Sequence, residues 1–515
     1  MEAKRDIEEK AKSLIDTDPY EALKLYKELY EAYKDKFNNW DALFSLKASR
    51  RVATPDLAWA KELVGKYHDN KVQNLYGWLI YDNCVKGKQD KEILQNESTI
   101  AKLPELSPQK NCQEDNSYPC PTTICILKLA DAHSNTQFNA KKINQILSNL
   151  DYNLLSSKPK KIETQEKGEV KIASDLEKYL ALRTKSLLKI GNYLDTKELC
   201  QFALQCLENF HYNNDIWFKM RLAISEERIG NLEISESLFK ELLASKAGSD
   251  KWFLYRDIAN VYFEQEEYSK AWKYAIDAAY FGTEPQFLVK LYLDLTRILY
   301  KLNRHNEGKI FAELIGAILN EQGWNERLEY SRLFQFYEVE RSNLPSVDSL
   351  VKKVMEFIRK ERYGGLKRVE GTIISVHKNG KLGRIKSSEG TISDFHKKNL
   401  QKQTKNLHEL KGITAEYYEI EGEDGKLYAE EILPNKPQKS TQNTELIGKS
   451  LEGKVKAIVD FGIFVQLPEM PDGLLHRNNM PNDIKDSFKD EFKDGDRIKV
   501  VIKAETNKGI ELKYE

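Results

Sequence analysis

Residues 451–467 read Leu-Glu-Gly-Lys-Val-Lys-Ala-Ile-Val-Asp-Phe-Gly-Ile-Phe-Val-Gln-Leu, and apolar and polar side chains alternate along most of this stretch. Alternation with a period of two is typical of β-strands that bury one face. Three further short segments of this kind follow, at residues 473–476, 497–503 and 509–513, with a glycine at or just before the start of each. Short strands separated by glycine turns predict a small five-stranded β-barrel over residues 447–515.

The alternation also assigns the faces of these strands. One parity points into the barrel and contains Val455, Ala457, Ile463, Val465, Leu467, Ile498, Val500, Ile502, Ile510 and Leu512. The other parity leaves an outer set of Lys454, Lys456, Phe464, Gln466, His476, Lys499 and Lys503. Phe461 precedes Gly462, whose flexibility can turn the ring onto the same surface. Aromatic rings beside ammonium groups stack unpaired bases and meet phosphates, so we predict a nucleic-acid-binding face; the alternative is that both phenylalanines complete the core.

The same block resembles the S1 RNA-binding domain, an OB-fold module, over about residues 451–514. The resemblance rests on Asp460-Phe461-Gly462-Ile463-Phe464-Val465, on Asp472-Gly473-Leu474-Leu475-His476 and on Gly495-Asp496-Arg497-Ile498-Lys499-Val500. It implies that Phe461, Phe464 and His476 contact RNA, with single strands favoured. An acidic residue and an arginine that are common near the last turn of the family correspond here to Glu505 and Gly509. One phosphate contact is therefore in doubt, and Arg477 or Lys508 is the candidate to replace it.

Residues 366–433 form a second block of short alternating segments, separated from the first by a proline-containing linker at 434–446. The segments at 371–373, 378–385 and 394–396 are similar to a cold-shock-type OB barrel. The positions where that family stacks bases are Leu382, Arg384 and Asp394 here, and Phe395 has the inward parity. The resemblance thus implies a secondary, mainly electrostatic nucleic-acid site made of Lys381, Arg384, His396, Lys397 and Lys398. A solvated lysine-rich loop is the equal alternative.

Residues 1–360 have apolar spacings of three and four, the mark of amphipathic helices. A helix, polar turn and helix recur about every 36 to 39 residues, with turns at 191–193, 230–232, 267–268 and 304–306, close to the 34 residues of a tetratricopeptide repeat. The best copy places Ile258, Ala259, Tyr262, Tyr268, Ala271 and Tyr274 at the spacing of that family. We therefore expect a tetratricopeptide-like α-solenoid with a groove for a protein or peptide partner. Four prolines predict an irregular, partly helical insertion at about 95–168.

Composition restricts the function classes. Lys+Arg and Asp+Glu each total 80, so any charge that attracts nucleic acid must be local. No apolar run approaches the ~20 residues of a membrane span, and residues 1–12 are charged, so we expect a cytoplasmic protein without membrane contact. Six scattered cysteines fit a reducing compartment. Cys112, Cys120, Cys125 and His133 lack the pair spacing of zinc sites, so we expect no metal.

The sequence contains no Gly-rich phosphate loop with its lysine, no His/Glu zinc pair and no Gly-x-Ser-x-Gly motif. We therefore expect no catalytic centre and no cofactor.

The fold class expected is multidomain α plus all-β, an α-solenoid followed by two OB-type barrels. The expected function is an RNA-binding adaptor for a protein partner, and the domain order resembles proteins of bacterial defence operons. A protein scaffold with structural barrels and a single-stranded DNA binder are the alternatives.

Overall fold

The computed structural model describes residues 2–112, 119–164, 168–401, 406–435, 446–468, 470–506 and 509–515. They divide into two compact units, one of residues 1–365 with 422–425 and one of residues 366–421 with 426–515. The first unit is built on α-helices and the second contains two closed five-stranded β-barrels. This confirms the predicted fold class.

The helical unit starts with five helices. Their bounds are α1 (Glu2–Leu14), α2 (Pro19–Ala32), α3 (Asn39–Ser49), α4 (Leu57–Lys66) and α5 (Asn70–Cys84). Acidic and amide side chains before the helices supply their first hydrogen bonds. Asp18, for example, accepts from the amide of Glu21 at 3.1 Å, and Pro19 occupies the first turn, where its missing N–H costs nothing.

The region expected to be an irregular, partly helical insertion contains helices, irregular segments and a β-hairpin. It contains the short helices α6 (Asp90–Gln95), α7 (Glu97–Ile100) and α8 (Leu103–Leu106), then α9 (Pro121–Asn135), α10 (Ala140–Leu147) and a hairpin of β1 (Lys160–Thr164) and β2 (Gly168–Ile172). Helix α9 is buried in the main core. Pro104 and Pro121 stand in the first turns of α8 and α9, where proline starts a helix rather than breaking one.

Cysteines of this region are part of the core. Cys112, Cys120 and Cys125 are buried free thiols. Burial raises the pKa of the Cys125 thiol, which keeps it protonated. The Nε2 atom of His133 lies 3.0 Å from Oε2 of Glu97. Within the described ranges no group of three or more candidate ligands could hold a metal ion.

Eight helices then form four hairpins. They are α11 (Asp175–Ile190) with α12 (Tyr193–Cys206), α13 (Asp215–Ile229) with α14 (Leu232–Ala244), α15 (Trp252–Glu264) with α16 (Tyr268–Tyr280), and α17 (Val289–Lys301) with α18 (Lys309–Glu321). The turns fall at the predicted positions. Gly191 (φ 83°) and Gly230 (φ 96°) end α11 and α13 in the left-handed conformation that glycine adopts without strain.

The first helices of successive hairpins contact one another, α11 with α13, α13 with α15 and α15 with α17, as in a solenoid. The rings of Tyr262 and Tyr274 stack between α15 and α16 with centroids 5.3 Å apart. Two more helices, α19 (Leu328–Phe336) and α20 (Val347–Tyr363), complete the unit. Helix α20 packs on α16 and α18, where Glu361 binds both Arg304 and the Nε1–H of Trp272 at 2.8 Å. No helix in the described part of the chain has the length and hydropathy to span a bilayer.

The first barrel consists of β3 (Val369–Val376), β4 (Leu382–Ser387), β5 (Ile392–His396), β6 (Thr414–Glu421) and β7 (Leu427–Pro434), in the order β3-β4-β5-β7-β6. Its core contains Ile373, Ile385, Phe395, Tyr417 and Ile432. Phe395 is 2% exposed, as its parity predicted. Most of the expected linker, residues 436–445, lies outside the described residues.

The second barrel consists of β8 (Ser450–Val459), β9 (Gly462–Gln466), β10 (Gly473–His476), β11 (Arg497–Thr506) and β12 (Gly509–Tyr514), with the short helix α21 (Phe488–Glu491) before β11. The strands close in the order β10-β12-β11-β8-β9. Nine of the ten residues assigned to the interior by alternation are buried. Ala457 is the exception, because a β-bulge between Val455 and Ala457 reverses the parity of the rest of β8.

Candidate nucleic-acid interface

The turn between β8 and β9 brings two distant parts of the barrel together. Gly462 pairs with His476 across β9 and β10, and a Cβ atom at Gly462 would lie 2.4 Å from the carbonyl oxygen of Leu475. Only glycine permits this approach of the two backbones. The backbone N–H of Arg477 also donates to the carbonyl of Phe461 at 3.0 Å. The ring of Phe461 is thereby held beside the end of β10.

Three rings meet on the outer surface at this corner, and we call Phe461, Phe464 and His476 the aromatic patch. The centroids of Phe461 and Phe464 are 6.4 Å apart with the rings nearly perpendicular, and those of Phe461 and His476 are 6.3 Å apart with planes inclined by 25°. Phe461 is 48% exposed, whereas Phe464 and His476 are half-buried. The barrel therefore does not enclose these rings, and a flat base can stack on them.

Two apolar side chains that sequence reasoning missed extend the aromatic patch. Phe464 lies opposite Ala457 on β8 and opposite Leu474 on β10. Residues directly opposite in a ladder share a face, so Ala457 and Leu474 flank the ring of Phe464. Leu474 could have been found from the alternation of 473–476, but Ala457 could not, since its orientation depends on the bulge at Lys456.

The cationic residues differ in how much of their charge is already compensated. Lys456 is ion-paired with Asp472, and Lys503 lies 2.9 Å from Glu511. Lys454 and Lys499 are exposed on the outer faces of β8 and β11, and within the described ranges no carboxylate lies in ion-pair distance of either. A free lysine is better placed to meet a phosphate than one already paired.

The position of each cation on the barrel also matters. Lys454 lies opposite Gln466, two residues along β9 from Phe464, and also opposite Arg497, a basic residue that sequence reasoning did not single out. Lys499 lies on β11, two strands from β9, which at about 4.8 Å per strand is roughly 10 Å away. Lys454 is therefore nearer the aromatic patch than Lys499, which could only meet a more distant nucleotide.

Acidic residues at the edges of the aromatic patch are held by specific partners. Lys489 lies 2.5 Å from Asp460 and lowers the pKa of that carboxyl group. Hydrogen bonds from Asn479 and Lys503 lower the pKa of Glu511. Both carboxylates thus remain ionised, and each carries a cation that reduces its repulsion of phosphate.

The resemblance to the family left one phosphate contact near the last turn of the barrel in doubt. The side chain of Glu505 and all of Lys508 lie outside the described residues. Gly509 begins β12 and has no side chain with which to reach a phosphate. Arg477 follows His476 directly and is exposed. Of the two candidates for that contact, Arg477 is the one that lies within the described residues.

On the first barrel, the structure brings part of the secondary site together. The backbone N–H of Lys397 donates to the carbonyl of Lys381 at 2.7 Å, and the backbone N–H of Lys398 donates to Nδ1 of His396 at 3.1 Å. Arg384 lies elsewhere on β4, directly opposite Asp394, and is exposed. The acidic neighbour reduces the attraction of Arg384 for phosphate. We call Lys381, Lys397 and Lys398 the basic corner of this barrel.

Comparison with known proteins assigns the second barrel to a class. The family model described as "S1 RNA binding domain" matches residues 446–513, which comprise the five strands that carry the aromatic patch. The chain therefore carries an S1 RNA-binding domain after its helical hairpins, as the sequence predicted.

Curated relatives match over a similarly short length. Polyribonucleotide nucleotidyltransferase of Sulfurovum sp. is 38% identical over 82 residues, 16% of this chain and 11% of that protein. The same enzyme of Ruthia magnifica is 39% identical over 64 residues, 12% of this chain and 9% of that protein. The chain thus spans about a tenth of the length of these relatives.

Among solved structures, a tetratricopeptide repeat protein from Parabacteroides merdae aligns with 66% of this chain and 100% of its own, at 16% identity and a TM-score of 0.30. BtubC from P. vanneervenii aligns with 47% of this chain and 94% of its own, at 12% identity and a TM-score of 0.32. At scores this low neither alignment assigns the helical unit to a family.

Proposed function

We propose that this protein is an RNA-binding adaptor. Its S1 domain holds single-stranded RNA, or unpaired segments of a structured RNA, and its helical hairpins hold a protein partner. The observation that carries the proposal is the aromatic patch, where Phe461 is half exposed beside Phe464 and His476 on a domain that matches the S1 family. Unpaired bases are needed because a base in a duplex is already stacked.

The geometry supports a mode of binding with little sequence selectivity. Each base stacked on an aromatic ring contributes about 1 to 3 kcal/mol, whichever base it is. Lys454 and Arg477 lie near the rings and supply charge for the adjacent phosphates. The basic corner of the first barrel adds a second, weaker contact to the same strand, and linking two weak contacts raises the overall affinity through effective concentration.

The proposal contains no catalytic step. The relatives named polyribonucleotide nucleotidyltransferase share with this chain about a tenth of their length, so their reaction is not carried over. We extend the proposal to a role in a bacterial defence system because helical repeats precede OB-type barrels in this chain. The genes next to the gene of this protein test that extension, because a defence role requires effector or nuclease genes among them.

Direct binding tests the RNA part. The full-length protein is titrated into a fluorescently labelled, unstructured RNA of about 12 nucleotides, and anisotropy is recorded at low and moderate salt. Salt-sensitive binding that an excess of unlabelled duplex does not compete supports the proposal. Equal competition by DNA of the same sequence would make the protein a general single-strand binder, because only contacts to the 2′-hydroxyl favour RNA. Absence of binding at low salt would leave a protein scaffold with structural barrels.

A further inference from the structure

A second pair of exposed aromatic rings lies on the helical unit. Trp40 and Phe44 are about one turn apart on α3, with ring centroids 6.2 Å apart and planes inclined by 28°. Trp40 is 58% exposed, and Phe44 is half-buried against the main core. Residues four apart on a helix share a face, so the two rings form one surface. We call Trp40 and Phe44 the helical aromatic pair.

Three lysines from three helices surround this pair. The Nζ atom of Lys71 on α5 lies 5.0 Å from the ring centroid of Trp40. The Nζ atoms of Lys12 on α1 and Lys47 on α3 lie 4.8 and 4.9 Å from the ring centroid of Phe44. All three lysines are exposed, so each ammonium group can leave its ring and remain in water.

The positive charge of these lysines is not neutralised by any carboxylate that the structure describes. Within the described ranges no carboxylate lies in ion-pair distance of Lys12, Lys47 or Lys71. The carboxylates within four residues of them are bound to other groups: Glu8 to Lys4, Glu9 to Arg5, Asp16 to Arg51, and Asp69 to backbone amides at the start of α5. The surface around the helical aromatic pair therefore carries three uncompensated positive charges, which favour an anion over a cation.

Two other tryptophans of the helical unit show that this combination of ring and charge is not general. Trp217 is 40% exposed and stacks on Phe253 with centroids 5.3 Å apart, but among the described residues no cation lies over either ring. Lys27 lies 5.3 Å from the ring centroid of Trp59, but its ammonium group is ion-paired with Asp56 at 2.8 Å. The helical aromatic pair differs from both, because it combines an exposed indole with uncompensated charge.

A nucleotide fits this surface better than a peptide does. A carboxylate side chain would satisfy the lysines but would leave the exposed indole in water, and an apolar side chain would leave the charges unused. In a peptide a flat ring and a carboxylate belong to different side chains, whereas every nucleotide of a single strand carries a base and a phosphate. A base stacked on an indole is held more strongly than an exposed ammonium group over the same ring, so a base can displace Lys71 from Trp40.

We propose that α1, α3 and α5 carry a second contact for single-stranded RNA, in which a base stacks on Trp40 and phosphates meet the three lysines. The inference rests on the proposed RNA-binding function and extends it to the helical unit. A base in a duplex is already stacked, so an unpaired strand is required. The lysines must leave the rings before bases stack, so this contact is weaker than that of the aromatic patch.

Tryptophan fluorescence of the full-length protein tests the inference. All seven tryptophans precede residue 325, so a base must stack in the helical unit to quench them directly. Unlabelled oligouridylate of about 12 nucleotides is titrated at low salt, with excitation at the red edge of the tryptophan band, where uridine absorbs little. Saturable quenching is expected in the wild type and is expected to disappear in Trp40→Phe. Trp217→Phe, which alters the stacked tryptophan without cations, should retain it.

A second variant measures the role of the charges. Lys12→Gln with Lys47→Gln and Lys71→Gln keeps Trp40, and it is expected to raise the RNA concentration at half-maximal quenching at least about tenfold at low salt. Lys27→Gln, which alters a lysine already paired with a carboxylate, should leave that concentration unchanged. No quenching in the wild type, quenching that persists in Trp40→Phe, or quenching unaffected by the three glutamines would overturn the inference.

A third variant separates this contact from the S1 domain. Phe461→Ala with Phe464→Ala should retain the quenching at saturating RNA, and its loss there would trace the signal to the S1 domain and overturn the inference. Anisotropy of a labelled RNA follows binding at either surface. If the wild type binds labelled RNA without quenching, the inference fails and the proposed function stands. If quenching occurs but the two alanines leave the anisotropy titration unchanged, the role of the aromatic patch fails and the inference stands.

Discussion

The ring of Phe461 lies nearly parallel to the imidazole of His476, with centroids 6.3 Å apart and planes inclined by 25°. Phe461 directly precedes β9 and His476 ends β10. The two residues meet because Gly462 allows the two backbones to approach closely. Both rings thus offer faces to bases on one surface, which is the geometric basis of the RNA-binding proposal.

Replacing both phenylalanines with alanine should remove the stacking surface. We expect Phe461→Ala with Phe464→Ala to weaken binding to unstructured RNA by roughly 5- to 150-fold for each stacked base lost, the equivalent of about 1 to 3 kcal/mol. Anisotropy with a labelled RNA measures the change. Tyr212→Ala is the matched control, because Tyr212 is an 82% exposed aromatic residue of the helical unit. Equal effects of the two changes would contradict a specific role for the aromatic patch.

Two lysines of β8 should differ in their contribution. Lys454 is unpaired in the described structure, whereas Lys456 is ion-paired with Asp472. Lys454→Ala is expected to reduce the slope of log affinity against log salt by about 0.7, the value for one phosphate contact to a single strand. Lys456→Ala should change the slope less. Titrations between about 50 and 200 mM salt decide, and a larger effect at Lys456 would show that the ion pair opens for RNA.

Gly462 should be essential for the patch but irrelevant to the helical unit. In Gly462→Ala the new Cβ would lie 2.4 Å from the carbonyl oxygen of Leu475, so the two backbones must separate. We expect loss of RNA affinity. All seven tryptophans precede residue 325, so tryptophan fluorescence reports unfolding of the helical unit alone, and that transition should not move. Gly365→Ala, where nothing lies within 4 Å, is the control. Wild-type RNA affinity in Gly462→Ala would refute the role assigned to the turn.

The helical unit should lose stability as Asp257 ionises. Burial raises the pKa of Asp257 to about 7 from 3.8, opposed by Arg256 and reinforced by Glu227 and Asp294. The folded state thus binds this proton more tightly than the unfolded state, so the free energy of unfolding falls as pH rises from about 4 to about 7. Asp257→Asn should raise the urea midpoint, followed by tryptophan fluorescence, at pH 8 and change it little at pH 5. A gain of equal size at both pH values would contradict an ionisation effect.

The fold was largely predictable because its signals are local. Gly191 and Gly230 mark helix ends by a conformation that glycine favours, and the alternation around Phe464 places that ring outside whatever the distant packing. The features that the sequence did not show depend on contacts between segments that are distant in the chain. The bulge that turns Ala457 outward appears only when β8 is aligned with β9. Pro121 starts a buried helix, and the core partners of that helix lie elsewhere in the chain, which a proline signal alone does not show.

At the candidate site, too, the sequence did not show contacts between different strands. Alternation identified the lysines of the outer face, but it could not show that Lys456 is paired with Asp472 and Lys503 with Glu511, because those partners lie 16 and 8 residues away on other elements. The same holds for Arg384, whose neighbour Asp394 lies on the next strand. The pairing of charged side chains across strands decides which charges remain available for phosphate. That pairing cannot be read from a single sequence.

Photo-crosslinking locates the bound RNA most directly. A short oligonucleotide containing 4-thiouridine is bound to the full-length protein, irradiated and digested, and the crosslinked peptides are identified by mass spectrometry. We predict that the principal crosslinks fall on Phe461, Phe464 or His476, with weaker ones at the basic corner of the first barrel. Crosslinks confined to the helical unit or to the first barrel, with these three residues unmodified, would contradict the account.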